Sequence, residues 1–381
     1  MEEKETNKTI KTFAIASFLN DFGSDMIYPI WPLFVITVMG ANMAVLGFID
    51  GLGEAIVSIS QAISGYISDR TRKRKIFVWL GYVFGSLSRI GYSISSIWQH
   101  LIPFRILDRA GKMRGAPRDA IIADISTKEN RGKHFGILRM MDNLGAVCGI
   151  VICILFFGLL GYRKLFLLAS IPTIIGAIII ISLIKEKKTT DTKIYKGFSL
   201  KNLNKNFYLF LILSSFFALG SFSYSFLLIY AKEFGFTVSF VPVLYLIFTV
   251  FAAIFSLPFG KLSDKIGRKS ILMLSFILWG LVCLDFIFLK GHFAIISAFV
   301  LYGLHKGAIE PVQRTLVAEL APVEYRASSL GAFQMVIGIC ALPASFIAGL
   351  LWDKIGIVTP LYFSLCLTLV SSIMLIFVKE K

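Results

Sequence analysis

The sequence predicts an all-α membrane protein with twelve transmembrane helices in two pseudo-symmetric six-helix bundles, and three observations support this prediction. The 381-residue chain is 56% hydrophobic and only 16% charged. Its apolar residues form runs of about 20, long enough to cross a hydrocarbon core of about 30 Å. One short motif occurs in both halves of the chain, and basic residues are concentrated in alternate loops between the apolar runs.

The duplicated motif is the most informative of these features. The pattern Gly-x-x-Ser-Asp begins at Gly65 and again at Gly260, each time between two apolar runs. A second pair of similar segments, 131–136 and 326–331, has the same spacing, because 260 − 65 and 326 − 131 both equal 195. One offset shared by two separate landmarks indicates an internal duplication. In a membrane protein it predicts two similar halves with a site held between them.

Twelve apolar runs are interpreted as membrane spans. The fourth contains the most charge, and we retain it because its counterpart in the second half is plainly apolar. Pro29 and Pro32 predict a kink in the first span, since proline lacks the amide hydrogen that a helix interior needs. The predicted spans are 12–38, 43–67, 76–98, 100–123, 134–159, 163–184, 206–231, 238–260, 270–289, 292–314, 328–351 and 356–378.

One long polar segment, 185–205, separates six spans from six and is interpreted as a connector between an N-terminal bundle, 1–184, and a C-terminal bundle, 206–381. Lys and Arg are frequent in this connector and in the even-to-odd loops. That asymmetry predicts that both termini and the connector lie in the cytoplasm and that the chain crosses the cytoplasmic membrane. The loops also account for the net charge of +16. Lipid, and not nucleic acid, is the expected partner, and we expect a monomer.

The motif resembles a known one. A Gly-x-x-x-Asp-Arg pattern at 65–70, followed by a basic run, resembles the best-known motif of the major facilitator superfamily, and 260–269 resembles its weaker second copy. The resemblance covers the whole chain and implies the fold of that superfamily. It also implies a cytoplasmic gate, and the two glycines would let neighbouring helices approach closely. The gate residues are Gly65, Asp69, Arg70, Arg74, Gly260, Asp264 and Arg268.

Two further segments resemble motifs of the same superfamily. Residues 105–112 are similar to the fourth-span motif, in which an Arg is linked in many members to proton coupling, and either Arg105 or Arg109 can correspond to it. Residues 136–149 are similar to the glycine-rich fifth span of exporters. That pattern normally has a proline beside its last glycine, whereas this chain has Ile150. The resemblance to exporters is therefore partial.

Ionisable residues inside the predicted spans are the candidate site, because each costs about 2.5–3.5 kcal/mol at a helix centre. A helical rise of about 1.5 Å per residue places Asp25, Glu54, Arg89 and Arg109 at one depth near the bilayer middle. Such charges must face one another or a wet cavity. The candidate cavity residues are Asp21, Asp25, Glu54, Arg89, Arg105, Asp108, Arg109, Lys112, Arg139, Asp142, His305, Lys306 and Glu310.

The fourth span and the second half of the chain refine this interpretation. A regular helix places Arg105, Asp108, Arg109, Lys112 and Asp119 on one face, and we assign Arg114 and Arg118 to the cytoplasmic end of that span. The seventh and eighth spans carry aromatic and hydroxyl side chains in place of deep charges. The sequence therefore predicts coupling chemistry in the first half and some substrate contacts in the second.

The predicted function is secondary transport of a small solute by alternating access. The sequence contains no nucleotide-binding loop, metal-spaced His/Cys cluster or nucleophile elbow, so neither an enzyme nor a cofactor is expected. A proton is the expected coupling ion. Asp25 or Glu54 would carry it, and Arg89, Arg105 or Arg109 would hold or release that acid. The charges favour a polar or ionic solute. A drug or lipid-like exporter is one alternative, and a non-transporting membrane receptor or scaffold is another.

Overall fold

The computed structural model describes residues 2–71, 73–127, 130–184, 205–289, 291–321 and 326–380, without the side chains of residues 2–4, 69, 131 and 326–328. All regular secondary structure in these ranges is helical. Nearly all of the predicted connector lies outside the described residues, and so does the side chain of Asp69. What the sequence predicts for both stays a prediction.

The described part of the first half forms seven α-helices with two short segments of other helical geometry. A π-helix, Phe34–Val38, directly follows α2, and a 3₁₀ turn, Gly111–Arg114, joins α5 to α6. The α-helices are α1 (Glu2–Asp25), α2 (Trp31–Leu33), α3 (Met43–Thr71), α4 (Lys75–Ile94), α5 (Trp98–Ala110), α6 (Gly115–Ile125) and α7 (Arg131–Leu183).

The described part of the second half also forms seven α-helices. They are α8 (Lys205–Gly220), α9 (Tyr224–Glu233), α10 (Val241–Ile266), α11 (Arg268–Phe288), α12 (His292–Leu320), α13 (Arg326–Lys354) and α14 (Thr359–Ile376). Each of the twelve predicted spans coincides with one or more of these helices. Eight helical segments of the described residues are long and apolar enough to cross a membrane. One of them, within α7, is divided in two at Gly161, whose φ of 65° suits glycine.

The first span of each half is broken at an equivalent place. Helix α1 ends at Asp25 and α8 ends at Gly220, and 220 − 25 again equals 195. In the first half the chain leaves α-helical geometry around Pro29 and Pro32, as predicted, and Pro32 lies in the first turn of α2. In the second half Ser223 caps α9, its hydroxyl accepting a hydrogen bond from the amide of Ser225 at 3.2 Å.

The chain divides into two compact units. The first unit comprises residues 1–40 and 56–195, and the second comprises 41–55 and 196–381. Helix α3 therefore belongs to both: its first turns pack with the second half of the chain, while the remainder packs with the first. In the first unit α1 lies against α7, and in the second α12 packs against α10 and α11.

Close helix contacts occur at other glycines than those predicted. A Cβ atom on Gly145 or Gly149 of α7 would overlap the carbonyl oxygen of Phe18 or Phe22 on α1, so only glycine fits there. At Gly65 an added Cβ would lie an ordinary 3.5 Å from Ala116, and at Gly260 it would meet open space. The close approach of the two bundles at the motif glycines stays a prediction.

Candidate functional site

Arg89 of α4 is 2% exposed, and with Arg105 of α5 it is one of the two most buried charges among the described residues of the first unit. Its guanidinium donates to the carbonyl oxygen of Ala169 at 2.8 Å and to the hydroxyl of Ser24 at 2.7 Å, and also to the hydroxyl of Thr173. These oxygens are all neutral. Arg89 thus joins α1, α4 and α7 while keeping its positive charge in the interior, where it attracts the carboxylate of Asp108.

Two arginines one turn apart on α5 lie against aromatic rings from the broken part of the first span. The guanidinium carbon of Arg105 lies 4.5 Å from the ring centre of Trp31, and that of Arg109 lies 5.1 Å from the ring centre of Tyr28. Cation–π contacts of this kind stabilise a desolvated guanidinium by about 2 kcal/mol. The kink at the prolines therefore positions the rings that these arginines contact.

Asp108 is the carboxylate beside this pair. Its side chain is buried, one carboxylate oxygen accepts a long hydrogen bond of 3.4 Å from Ser88, and the other lies 3.6 Å from Nε of Arg109. Lys112, in the 3₁₀ turn, is half-buried and adds a further positive charge near Asp108. Arg89, Arg105, Asp108, Arg109 and Lys112 are all predicted cavity residues, and they lie close together in the first unit.

A second charge network lies toward α6. Arg118 is buried and lies 3.0 Å from a carboxylate oxygen of Asp119 and 3.6 Å from one of Asp142 on α7, and it also donates to the hydroxyl of Ser17. Arg139 lies 3.4 Å from the other oxygen of Asp142, but its side chain is 60% exposed. One buried arginine is therefore shared between two carboxylates on different helices.

Arg114 extends this network to α1. Its guanidinium lies 3.9 Å from Asp21 and 5.2 Å from the ring centre of Tyr82. Asp21 also accepts a 2.7 Å hydrogen bond from the amide of Asn20, and its charge acts on Asp142. Arginines 89, 105, 109, 114 and 118 are all buried, and we call them the arginine cluster.

Arg114 and Arg118 do not point away from the other charges, as a regular helix predicts, because both are buried and lie near Asp21 and Asp142. The projection assumed a regular α-helix with about 3.6 residues per turn, whereas residues 111–114 form a 3₁₀ turn with about 3.0. Each residue in such a turn advances about 120° instead of 100°, so four residues rotate the following face by roughly 80°. The glycines at positions 111 and 115 and Pro117 were the sequence signal for this break.

The second unit has few charges of this kind. Lys306 of α12 lies 5.8 Å from the ring centre of Tyr302, and the carboxylates of Glu310 and Glu54 act on it electrostatically. Both glutamates are exposed. His305 is buried, and its Nδ1 lies 2.9 Å from both the hydroxyl and the carbonyl oxygen of Ser275 on α11. That geometry holds α12 against α11.

Aromatic rings surround these residues. Trp279 lies 5.6 Å from the His305 ring and 5.7 Å from the Tyr302 ring, and Phe248 connects Tyr302 to Tyr245 with centre distances of 5.1 and 4.7 Å. Tyr224 closes the group with a centre 5.3 Å from Tyr245. We call Tyr224, Tyr245, Phe248, Trp279 and Tyr302 the aromatic cluster. The prediction of aromatic side chains in place of deep charges agrees with it.

The remaining candidate residues are placed as follows. Asp25 ends α1 and is half-buried. Glu54 lies in the part of α3 that belongs to the second unit, whereas Asp25, Arg89 and Arg109 belong to the first. Arg70 is exposed on the last turn of α3. The proposed pairing of Asp25 or Glu54 with Arg89 is not among the hydrogen bonds of Arg89 described above.

The basic residues of the motif make matching contacts in the two units. Arg74 pairs with Asp124 at the end of α6, and Arg268 lies 3.0 Å from Glu319 at the end of α12. Positions 124 and 319 differ by 195. Arg268 additionally pairs with Asp264 at 2.8 Å. The duplication seen in the sequence is thus also a duplication of ion pairs.

The next residue in each motif is a lysine with an equivalent role. The ammonium of Lys75 donates to the carbonyl oxygen of Ile181, and that of Lys269 donates to the carbonyl oxygen of Ile376. These acceptors are also 195 positions apart. In each unit, consecutive Arg and Lys residues therefore fasten the start of the third span to the ends of the fourth and sixth.

Comparison with known proteins identifies the family. The family model of the Major Facilitator Superfamily matches residues 13–228 and 208–381. An uncharacterized MFS-type transporter of Methanocaldococcus jannaschii is 39% identical over 388 residues, covering 99% of this chain and 96% of the relative. The quinolone resistance protein NorA of Staphylococcus aureus is 28% identical, covering 98% and 97% of the two chains.

Solved structures agree on the fold. The nucleoside transporter NupG superposes with a TM-score of 0.80 at 14% identity, covering 97% of this chain and 98% of the other. At that identity the likeness concerns the fold alone. The family model and the relative from Methanocaldococcus jannaschii show the family, and the all-helical architecture agrees with it. This chain belongs to the major facilitator superfamily of membrane transporters.

Proposed function

We propose that the protein is a secondary transporter that moves a polar or charged small solute across the cytoplasmic membrane by alternating access, coupled to proton movement. The observation that supports this most is the arginine cluster of the first unit. Five guanidinium groups at about 2.5–3.5 kcal/mol each amount to roughly 12–18 kcal/mol before compensation. That cost is similar to or larger than the net stability of a typical domain, about 5–15 kcal/mol, so the chain must compensate these charges.

The compensation indicates what the cluster does. Neutral oxygens around Arg89 and rings beside Arg105 and Arg109 stabilise these guanidinium groups, and the one carboxylate of Asp108, 3.6 Å from Arg109, acts on all three arginines. Carboxylates are fewer than arginines among the contacts described above. An interior with positive charge held by rings and hydroxyls favours a solute with oxygen acceptors or a negative charge.

The proton-carrying carboxylate that the geometry favours is Asp142. It lies 3.6 Å from Arg118, which in turn lies 3.0 Å from Asp119. A proton on Asp142 would remove its charge and leave Arg118 to Asp119, so that protonation would change how α6 and α7 are held together. Asp25 and Glu54 remain the other candidates, on the ground of their predicted depth.

The proposed orientation has both termini and the connector in the cytoplasm. Its support is the excess of Lys and Arg in the connector and in the loops that contain the motifs. The motif residues would then form a cytoplasmic gate, as the resemblance implied, with Arg74 and Arg268 anchored by Asp124 and Glu319. A monomer is sufficient for this mechanism, because both halves are in one chain.

Export of planar, lipophilic compounds is the second candidate function. The aromatic cluster favours it, because five rings in mutual contact offer stacking surfaces rather than charges. The similarity to NorA, whose name records quinolone resistance, supports the same alternative. The two candidate functions differ in whether binding of the transported solute requires the arginine cluster or the aromatic cluster.

Ligand screening followed by flux measurement tests the proposal. Solutes that raise the melting temperature of the purified protein are selected first, since binding to the folded state stabilises it. Each is then offered to proteoliposomes with an imposed pH gradient, and to matched vesicles without one. We expect uptake or efflux that is several-fold faster with the gradient. Binding without flux would favour a receptor, and flux of planar lipophilic compounds alone would favour the exporter.

A further inference from the structure

A small group of opposite charges lies beside the aromatic cluster of the second unit. Lys306 is on α12, Glu310 follows it by about one helical turn, and Glu54 lies on the part of α3 that belongs to this unit. The carboxylates of Glu310 and Glu54 both act electrostatically on the Lys306 ammonium. Two carboxylates therefore face one ammonium, so this group has an excess of negative charge, unlike the arginine cluster.

Both glutamates are exposed, although each lies within a helix that is long and apolar enough to cross a membrane. Acidic side chains within membrane spans are costly in lipid, and they therefore face water or an opposite charge. Lys306 is half-buried, so its ammonium is not sealed from the same space. The two carboxylates therefore border a wet space that a small solute can enter.

The ammonium of Lys306 shows which chemical group this position accommodates. Its nitrogen lies 5.8 Å from the ring centre of Tyr302, within the distance of about 6 Å that cation–π contacts require. Aromatic rings recognise organic ammonium ligands in this way, and carboxylates add charge-assisted hydrogen bonds. Lys306 thus presents to Tyr302 and to the two glutamates the same group that an amine solute would carry.

Two rings of the aromatic cluster leave surface for the apolar part of such a solute. Tyr224 and Phe248 are half-buried, with ring centres 6.2 Å apart, whereas the other three rings are buried. Phe248 lies 5.1 Å from Tyr302, whose ring contacts the Lys306 ammonium. An aryl group that packs on Phe248 can therefore place an ammonium near the carboxylates with a linker of a few atoms. The rings and the charges together fit an aryl amine.

Lys306 is held by contacts that an incoming ammonium can replace. Arg89, by comparison, donates hydrogen bonds to oxygens of two other helices. Lys306 instead contacts the ring of Tyr302 and faces two exposed carboxylates, and its ammonium ends a flexible chain of four carbons. A second ammonium would repel that of Lys306 and compete with it for the same carboxylates. The lysine therefore lowers the affinity of this position for an amine.

We propose that Glu54, Glu310 and Tyr302 form a binding site for the ammonium group of an organic amine, and that Lys306 occupies this site with its own ammonium until the solute displaces it. The inference rests on the proposed function, since it names the chemistry of the transported solute. The amine can also carry the oxygen acceptors that the arginine cluster favours. The second unit then selects the solute, while the first unit carries the coupling chemistry.

Equilibrium binding of an aryl amine and of its neutral analogue tests the proposal. The probe is phenethylammonium, and phenethyl alcohol has the same ring and linker without the charge. Both are titrated calorimetrically into the purified protein in lipid nanodiscs at neutral pH. The alcohol should bind about tenfold more weakly than the amine, because hydrogen bonds to charged groups discriminate on that scale. Equal affinities would leave the rings as the binding element and would overturn the proposal.

Lys306→Met gives the most distinctive expectation, because removing a charge from the site should improve binding. Methionine keeps an unbranched apolar side chain without the ammonium, so phenethylammonium should bind about tenfold more tightly. The affinity for phenethyl alcohol should not change. Lys232→Met is the matched control: Lys232 also lies in the second unit beside a carboxylate, 3.9 Å from Glu233, and its removal should leave both affinities unchanged.

The two glutamates should show the reverse effect. Glu310→Gln and Glu54→Gln keep the size of the side chain but remove its charge, and each should weaken the binding of phenethylammonium about tenfold. Glu233→Gln, from the control ion pair, should not weaken it. Both site glutamates are exposed, so these variants should fold, and they decide between the outcomes if Lys306→Met does not fold.

The outcomes separate this proposal from the proposed function, because equilibrium binding needs no pH gradient. Binding of phenethylammonium that is weakened, unchanged or absent in Lys306→Met would overturn the proposal, and so would unchanged binding in both glutamine variants. Gradient-driven flux of a solute without an ammonium group would support the proposed function and contradict the site. Amine binding in the expected order without gradient-driven flux would support the site and contradict the proposed coupling.

Discussion

The two units fasten their motifs in the same way but fill their interiors with different side chains. Arg74 and Arg268 pair with acids that are 195 positions apart. The carbonyl oxygens that accept from Lys75 and Lys269 are also 195 positions apart. Applied to the arginine cluster, the same offset gives no second set of charges. Arginines 89, 105, 109, 114 and 118 correspond to Leu284, Val300, Leu304, Ile309 and Gln313.

This difference shows which parts of a duplicated fold can diverge. The contacts at the ends of the spans hold helices together and are retained in both copies. The interior contacts are polar in one copy and aromatic in the other: Arg89 meets hydroxyl and carbonyl oxygens, whereas Trp279 meets the rings of His305 and Tyr302. We therefore expect the first unit to carry charge-dependent chemistry and the second to carry shape-dependent contacts.

The largest effect is expected when the first unit loses Arg118. Arg118→Met leaves Asp119 and Asp142 without their buried cation, and breaking such a pair costs about 3–5 kcal/mol. The melting temperature should fall sharply, and transport should be lost. Arg139→Met is the matched control, because Arg139 contacts the same Asp142 from an exposed position and should cost less than about 1 kcal/mol. Equal effects of the two variants would contradict the arginine cluster as described.

A smaller effect is expected for His305 in the second unit. His305→Ala removes the bond to Ser275 between α11 and α12 and should destabilise the protein by about 1–3 kcal/mol. The pH dependence of transport should keep its shape, because we expect the His305 ring to hold α11 and α12 together and not to carry the coupling proton. A pH profile of initial flux checks this point. A shifted profile in the variant would place coupling chemistry in the second unit as well.

Tyr302 separates stacking from packing in the aromatic cluster. Tyr302→Phe keeps the ring against Phe248 and should leave substrate selectivity nearly unchanged, whereas Tyr302→Leu should alter the relative flux of planar and non-planar solutes several-fold. Aromatic pairs contribute about 0.5–1.5 kcal/mol beyond their buried area, which sets that scale. Competition assays with one planar and one non-planar solute measure this relative flux. The same selectivity in both variants would make the cluster a packing feature only.

The smallest effect concerns the duplicated ion pairs. Double-mutant cycles on Arg74 with Asp124 and on Arg268 with Glu319 should each give about 0.2–1 kcal/mol, because the side chains of the two acids are 43% and 42% exposed and solvent screens the pairs. Thermal unfolding at low and high salt provides the measurement. Similar coupling energies would support equivalent roles. A coupling several times larger in one unit would show that the two motifs have diverged in function.

The sequence predicted the helices well and the side-chain partners only partly. The twelve spans follow from apolar runs and from the duplication, both of which are readable along the chain. The partners of Arg114 and Arg118 were missed because a 3₁₀ turn changes the helical phase, whereas the prediction used the regular α-helical repeat throughout the span. The contact of Asp353 with Met43 could not be predicted either, since it joins residues 310 positions apart in sequence.

Gradient-driven and exchange flux in Asp142→Asn test the central claim most directly. Proteoliposomes that contain this variant are compared with the unsubstituted protein, first under an imposed pH gradient and then in solute exchange without one. We expect that acceleration by the gradient is lost while exchange continues, because a side chain that cannot take up a proton still allows the solute to bind. Gradient-driven flux equal to that of the unsubstituted protein would contradict the assignment of coupling to the charges of the first unit.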